Sequence, residues 1–128
     1  MNGHKWMYGR TCDGPTLISD CGHYPHDLFG DPWDYESLKD HNFIHAAATF
    51  WTREARDIIG GWNVDKDVVH DWDYWMRLGA RWRPLYTERI LAFYRVHSGQ
   101  AIQSLPAAYK LAQEDLIRER ARQGYYEV

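Results

Sequence analysis

The 128-residue chain has little cysteine, little proline and no long apolar run. Its two cysteines, Cys12 and Cys21, are too few for a disulfide scaffold, and neither stands in a Cys-x-x-Cys pair. Both thiols are therefore expected to be reduced and the chain cytoplasmic. No stretch approaches the roughly 20 apolar residues of a membrane-spanning helix. The opening "MNGHKWMYGR" lacks the apolar centre of a signal peptide. Neither sign of charge dominates: 15 Lys and Arg against 18 Asp and Glu give a formal net charge of -3. That balance speaks against nucleic acid or an anionic membrane as a partner. There is no glycine-rich phosphate loop, internal repeat or low-complexity tract. The seven histidines are scattered without the spacing of zinc ligands.

Aromatic side chains are abundant: 16% of the chain, with seven tryptophans and nine tyrosines. One small core is not expected to hide them all. Exposed flat rings suit stacking on the C–H faces of sugars, and they equally suit a protein interface. Hydrophobic and charged contents of 45% and 26% are those of an ordinary soluble protein. A single domain over 1–128 is expected.

Along the chain, "KWMYG" from Lys5 to Gly9 reads as a short strand. Residues 10–40 are rich in Gly, Pro, Asp and His and read as irregular. "NFIHAAATFW", 42–51, reads as a strand or extended segment. Thr52 offers an N-cap for "REARDII", and the Gly60–Gly61 pair a C-terminal stop. Val68, Trp72, Trp75 and Met76 follow helical spacing and predict a buried stripe, with Gly79 as the stop. "RWRPLYTE" and "RILAFYRVH" predict two extended segments. Ser104 and Pro106 open a last helix over 105–124 that stops at Gly124. The class is mixed α and β, a short sheet flanked by three helices.

The segment "VVHDWDYWMRLG" concentrates the polar interest. Asp71 and Asp73 fall in the first turn of the predicted helix, where the helix dipole favours acids by about 0.3–1 kcal/mol. Asp73 stands four residues before Arg77, which predicts a surface ion pair of about 0.3–0.5 kcal/mol when exposed. Asp71 has no such cation and sits beside His70, which makes it a general-base candidate. "DWD" and "DKD" (65–67) both match a D-x-D metal pattern. On a helix, however, positions i and i+2 lie about 200° apart and cannot share one cation. His97, at a strand end beside Ser98 and Gly99, is a candidate for metal or phosphate, against the plainer reading of a surface turn.

Four blocks in order resemble the C-terminal half of a family 2 glycosyltransferase of the inverting GT-A type. They are "FIHAAATFWTREARDIIGGWN", "HDWDYWMRLG", "RWRPLYTERILAFYR" and "YRVHSGQAIQS", together covering 41–104. The resemblance implies a partial GT-A-like fold whose nucleotide-binding, Rossmann-like half is absent. It makes Asp71 the base that deprotonates the acceptor hydroxyl. Arg95 and His97 then lie near the donor diphosphate and its metal, with His97 a metal candidate. His70, Trp62, Trp72 and Trp75 lie near or beneath the acceptor. The complete family enzyme takes a nucleotide-sugar, a glycan acceptor and a divalent cation, manganese or magnesium. For this chain alone no cofactor is firmly expected, and neither is transferase activity. A half-sheet exposes an edge and an apolar face, so self-association is expected. One departure stands out: His70 occupies the place of the family's glutamate, and a charged imidazole there is expected to lower the Asp71 pKa. The alternative reading is a non-catalytic carbohydrate-binding or protein-interaction module.

Overall fold

The computed structural model describes residues 3–14, 28–63, 69–95 and 105–128, with Asp13, Gly14 and Arg95 described by backbone alone. The observed class is mixed α+β: a four-stranded sheet with helices packed against it. Strand β1, Trp6–Gly14, is the centre of that sheet. Strand β2, Leu28–Phe29, pairs antiparallel with Thr11 and Cys12, and β3, Thr49–Trp51, pairs antiparallel with Trp6–Tyr8. Strand β4, Leu85–Arg95, runs parallel to β1 from Met7 to Gly14. Met7, Tyr8, Thr11 and Cys12 each have two partners, so β2 and β3 share one edge of β1 and β4 takes the other.

This arrangement corrects two expectations. The short N-terminal strand is long and central, and it reaches well into the region read as irregular. The two predicted extended segments are one strand of 11 residues. Polar residues Thr87, Glu88 and Arg89 interrupt the alternation there. The structure accommodates them as an irregularity, since Tyr8 and Arg10 of β1 face Tyr86 and Ile90 of β4. A bulge of this kind keeps a strand continuous while hiding its period-2 signal.

Helix α1 (Tyr35–Leu38) is capped by Asp34, whose carboxylate accepts the Glu36 and Ser37 N–H groups at 3.0 and 3.2 Å. Helix α2 (Arg53–Ile59) starts as expected: the Thr52 hydroxyl accepts the Ala55 N–H at 3.0 Å. It ends at Gly60, whose φ of +90° only glycine adopts readily. Helix α3 (His70–Arg81) does not stop at Gly79 but runs through it. A Cβ at that position would lie 2.6 Å from Trp33 Cη2 and 3.0 Å from the Tyr35 ring, so the glycine serves close packing of α3 against the 33–35 segment. Helix α4 (Ala107–Arg122) follows Pro106 and gives way at Gly124, as its sequence predicts.

The tryptophans are hidden more thoroughly than their number suggests. Trp6, Trp72 and Trp75 are fully buried, while Trp33, Trp51 and Trp82 are partly buried against the same core. Only Trp62 of the seven is substantially exposed, at 37%. The rings stack on one another, with Trp6 and Trp75 near parallel at 5.9 Å and Trp33 edge-on to Trp6 at 5.3 Å. Several polar tips find backbone acceptors: Trp6 Nε1 donates to the Trp82 carbonyl, Trp72 Nε1 to Leu38, and the Tyr8 and Tyr35 hydroxyls to Asp31 and Met76, whereas the buried Trp75 Nε1 has no hydrogen-bond partner among the described residues. Pairing of the polar tip offsets the cost of burying a large amphipathic ring.

Cys12 is disulfide-bonded, which corrects the expectation of reduced thiols. The chain's other cysteine, Cys21, lies outside the described residues. Disulfides persist in oxidising surroundings, so the cytoplasmic expectation loses the support it drew from the thiols. Among the described residues no helix is long and apolar enough to cross a membrane.

Candidate functional site

The first turn of α3 projects its two acids in different directions, as the rejection of "DWD" as a metal pair requires. Asp71 Oδ1 accepts the N–H of Trp72 at 2.8 Å, and Oδ2 accepts the Asn42 side-chain amide at 3.4 Å. Burial pushes the Asp71 carboxyl above its ordinary pKa. The Trp72 N–H, the His70 ring and the Asn42 amide each pull it back by less. The lowering by His70 is therefore present as expected, but desolvation outweighs it and the net direction is reversed. A half-buried carboxylate that holds its proton more tightly than usual is a better base than an exposed one.

His70 opens the helix and meets Trp62 edge-on at 5.0 Å. Trp62 stacks on the buried Tyr74 at 5.1 Å and 22°, and touches Trp51 and Trp75 at its edges. One indole face is thus held by the protein while the ring stays more than a third exposed. Trp72 and Trp75, read as acceptor-side residues, belong to the core. Trp72 is pinned by the Leu38 carbonyl and lies under the Arg118 guanidinium at 5.4 Å. They lie beneath the surface and offer no free face to a ligand. The structure therefore links His70 to both its neighbour Asp71 and the ring of Trp62, and withdraws the other two rings. Arg95 closes β4 opposite Gly14, with its side chain outside the described part, and His97, Asp65 and Asp67 are outside it altogether.

Asp73 is structural, but it is not the surface acid that its spacing suggests. It is 0% exposed. Its Oδ2 accepts Asn63 Nδ2 at 2.6 Å and Arg77 Nε at 3.1 Å. Its Oδ1 accepts the Tyr126 hydroxyl at 2.7 Å and makes an ion-pair contact, rather than a hydrogen bond, with Arg120 Nη1 at 3.5 Å. Burial, then the bond to Asp73, drives the Tyr126 hydroxyl pKa far up. Arg77 also donates to the Ile59 and Gly61 carbonyls at 3.2 and 2.8 Å, tying α3 to the end of α2. Asn42, Asn63, Arg120 and Tyr126 went unnoticed in the sequence, because no spacing rule links them to residues 71 and 73.

Among the described residues no three His, Cys, Asp or Glu side chains gather as a metal would need. The described part therefore does not fit a divalent cation, and no step is assigned to one. A cleft of about 270 Å³ is lined by Ile58, Ile59, Arg81, Tyr125 and neighbours, and contains none of the predicted site residues. Comparison of the chain with protein-family models, with curated proteins and with solved structures finds no match.

Proposed function

We propose that the chain is the acceptor-binding half of an inverting, GT-A-type family 2 glycosyltransferase. The observation that carries the reading is Asp71: a half-buried carboxylate of raised pKa, next to His70, whose ring meets the partly exposed Trp62. In this reading an acceptor sugar stacks on Trp62 and presents a hydroxyl to Asp71. The carboxylate takes the hydroxyl proton as the oxygen attacks the anomeric carbon of a nucleotide-sugar. The nucleotide diphosphate departs from the opposite face and the configuration inverts. Arg95 and His97 fall on the family's diphosphate-side motif. In this reading transfer also needs the nucleotide-binding half of the family's fold.

Self-association belongs to the same reading. Phe50, Met7 and Leu85 are register partners across β3, β1 and β4 and form a row on the sheet. Phe50 is 54% exposed and Leu85 39%. An apolar row of this kind favours a contact with a second copy. Light scattering on dilute protein checks this, and a monomer at all concentrations counts against it.

The exposed Trp62 also favours the second reading, a glycan-binding module without catalysis. Calorimetric titration with UDP, UDP-sugars and oligosaccharides, with and without manganese, separates the two. Weak glycan binding that falls in Asp71→Asn supports the acceptor-binding half, and nucleotide-sugar binding by the chain on its own counts against it. Glycan binding that ignores nucleotide, and persists in Asp71→Asn, supports the module. Binding of neither class of ligand overturns both.

A further inference from the structure

We infer that Asn42 is a positioning residue for Asp71: its side-chain amide fixes the plane of the carboxylate that would receive the acceptor proton. The inference rests on the reading of Asp71 as the base.

A carboxylate's last torsion is broad and roughly two-fold, so one hydrogen bond does not settle its plane. The Trp72 N–H that Oδ1 accepts comes from the same helical turn and moves with Asp71. A second donor from a different element, acting on the other oxygen, supplies the missing restraint. Asn42 stands 29 residues away in sequence and donates to Oδ2.

Asn42 is itself held in the required orientation. Its Oδ1 accepts the N–H of Ile44 at 3.1 Å, a turn in which the side chain bonds backbone two residues on. With the carbonyl oxygen so engaged, the NH₂ end is the one turned to Asp71. The flanks are anchored too. Phe43 and Ile44 are buried on one side. On the other, the Leu38 carbonyl accepts from Trp72 Nε1 and the Asp40 carbonyl from Arg118 Nε, each at 2.7 Å. The donor is also neutral. A guanidinium or ammonium in its place would stabilise the charged carboxylate strongly and weaken it as a base. An amide orients the group and lowers its basicity less than a cation would. His70 is the one charged or titratable neighbour that acts on Asp71 among the described residues.

The test follows the Asp71 carboxyl by ¹³C NMR through a pH titration of the full chain, in the wild type, Asn42→Ala and Asn42→Asp, with urea unfolding of each. Asn42→Asp keeps an oxygen for the Ile44 N–H and replaces only the donor, so it separates positioning from folding of the turn. Both variants are expected to shift the Asp71 titration upward, Asn42→Asp further because a second carboxylate then faces it. Should Asn42→Ala fail to fold, Asn42→Ser, which keeps an oxygen for the Ile44 N–H and adds no charge, decides. An unchanged Asp71 titration in the folded variants overturns the inference, whatever sugar the chain binds. A shift supports it even in a chain that binds no sugar, so this inference and the reading of Asp71 as the base fail separately.

Discussion

Asp71 and Asp73 stand two residues apart in the first turn of α3, share the same helix dipole, and live in opposite surroundings. Asp73 is enclosed by two guanidiniums, a phenol and an amide, and every one of its oxygens is engaged. Asp71 receives two N–H donors, one of them long, and no cation bonds it. Taking a charge out of water is tolerable when partners replace the lost hydration, and costly when they do so only in part. The fully partnered acid is therefore a structural tie between α2, α3 and α4. The under-partnered one keeps a raised proton affinity that chemistry can use.

The sharpest way to break this comparison is to remove the tie. Asp73→Ala strands Arg77, Arg120 and the Tyr126 hydroxyl, and should cost about 3–5 kcal/mol, read as a lowered urea midpoint or outright unfolding. A loss below about 1 kcal/mol would mean the network is not formed in solution. Tyr126→Phe removes a single hydrogen bond to the same carboxylate and should cost roughly 1.5 kcal/mol by the same measurement, the lower end for a bond to a charged group because three partners stay. Trp62→Ala tests the ring that stacks beside this network. It forfeits the stack on Tyr74, worth about 0.5–1.5 kcal/mol beyond the area the indole buries. It should also abolish any glycan binding seen by calorimetry, and glycan affinity equal to wild type would remove Trp62 from the proposed acceptor site.

The smallest stability effect, with the opposite sign, is expected at Asp71. A carboxyl whose folded pKa is raised favours the native state most below its unfolded pKa. That contribution is lost as pH climbs from the ordinary carboxylate value through the raised one. Asp71→Asn removes the ionisation, so the variant should match or exceed wild-type stability at neutral pH, and the wild-type advantage toward acid should vanish. Parallel stability–pH curves for the two proteins would place Asp71 in ordinary, solvated surroundings. Under the proposed function the same substitution removes transfer by the assembled enzyme.

Part of this structure is legible in the sequence because it is local. Thr52 caps α2 through a hydroxyl three residues from its donor, and Gly124 takes the positive φ that lets the last helix end. The apolar spacing of Trp72, Trp75 and Met76 marks the buried side of α3 correctly. Other features were misread because a local rule met a distant neighbour. Gly79 looks like a stop until Trp33 and Tyr35 are seen pressing on it. The stretch from Leu85 to Arg95 looks broken until β1 pairs with both of its ends. The burial of Trp6, Trp33, Trp51 and Trp82 is invisible in the sequence because it depends on the rings packing against each other and, for Trp6, on a carbonyl from a remote segment.

The same division runs through the candidate site. Sequence alone determined that two acids would begin a helix, that Asp73 would pair with Arg77, and that Asp71 would lack a cation of its own. These follow from spacing of four residues or fewer, within reach of one helical turn. Which acid would be buried and tied, and which would be left half-covered beside His70, was decided only by tertiary structure. Desolvation and hydrogen-bond satisfaction depend on what packs against a group. For Asp73 that is Tyr126, 53 residues further on, and for Asp71 it is Asn42, 29 residues before.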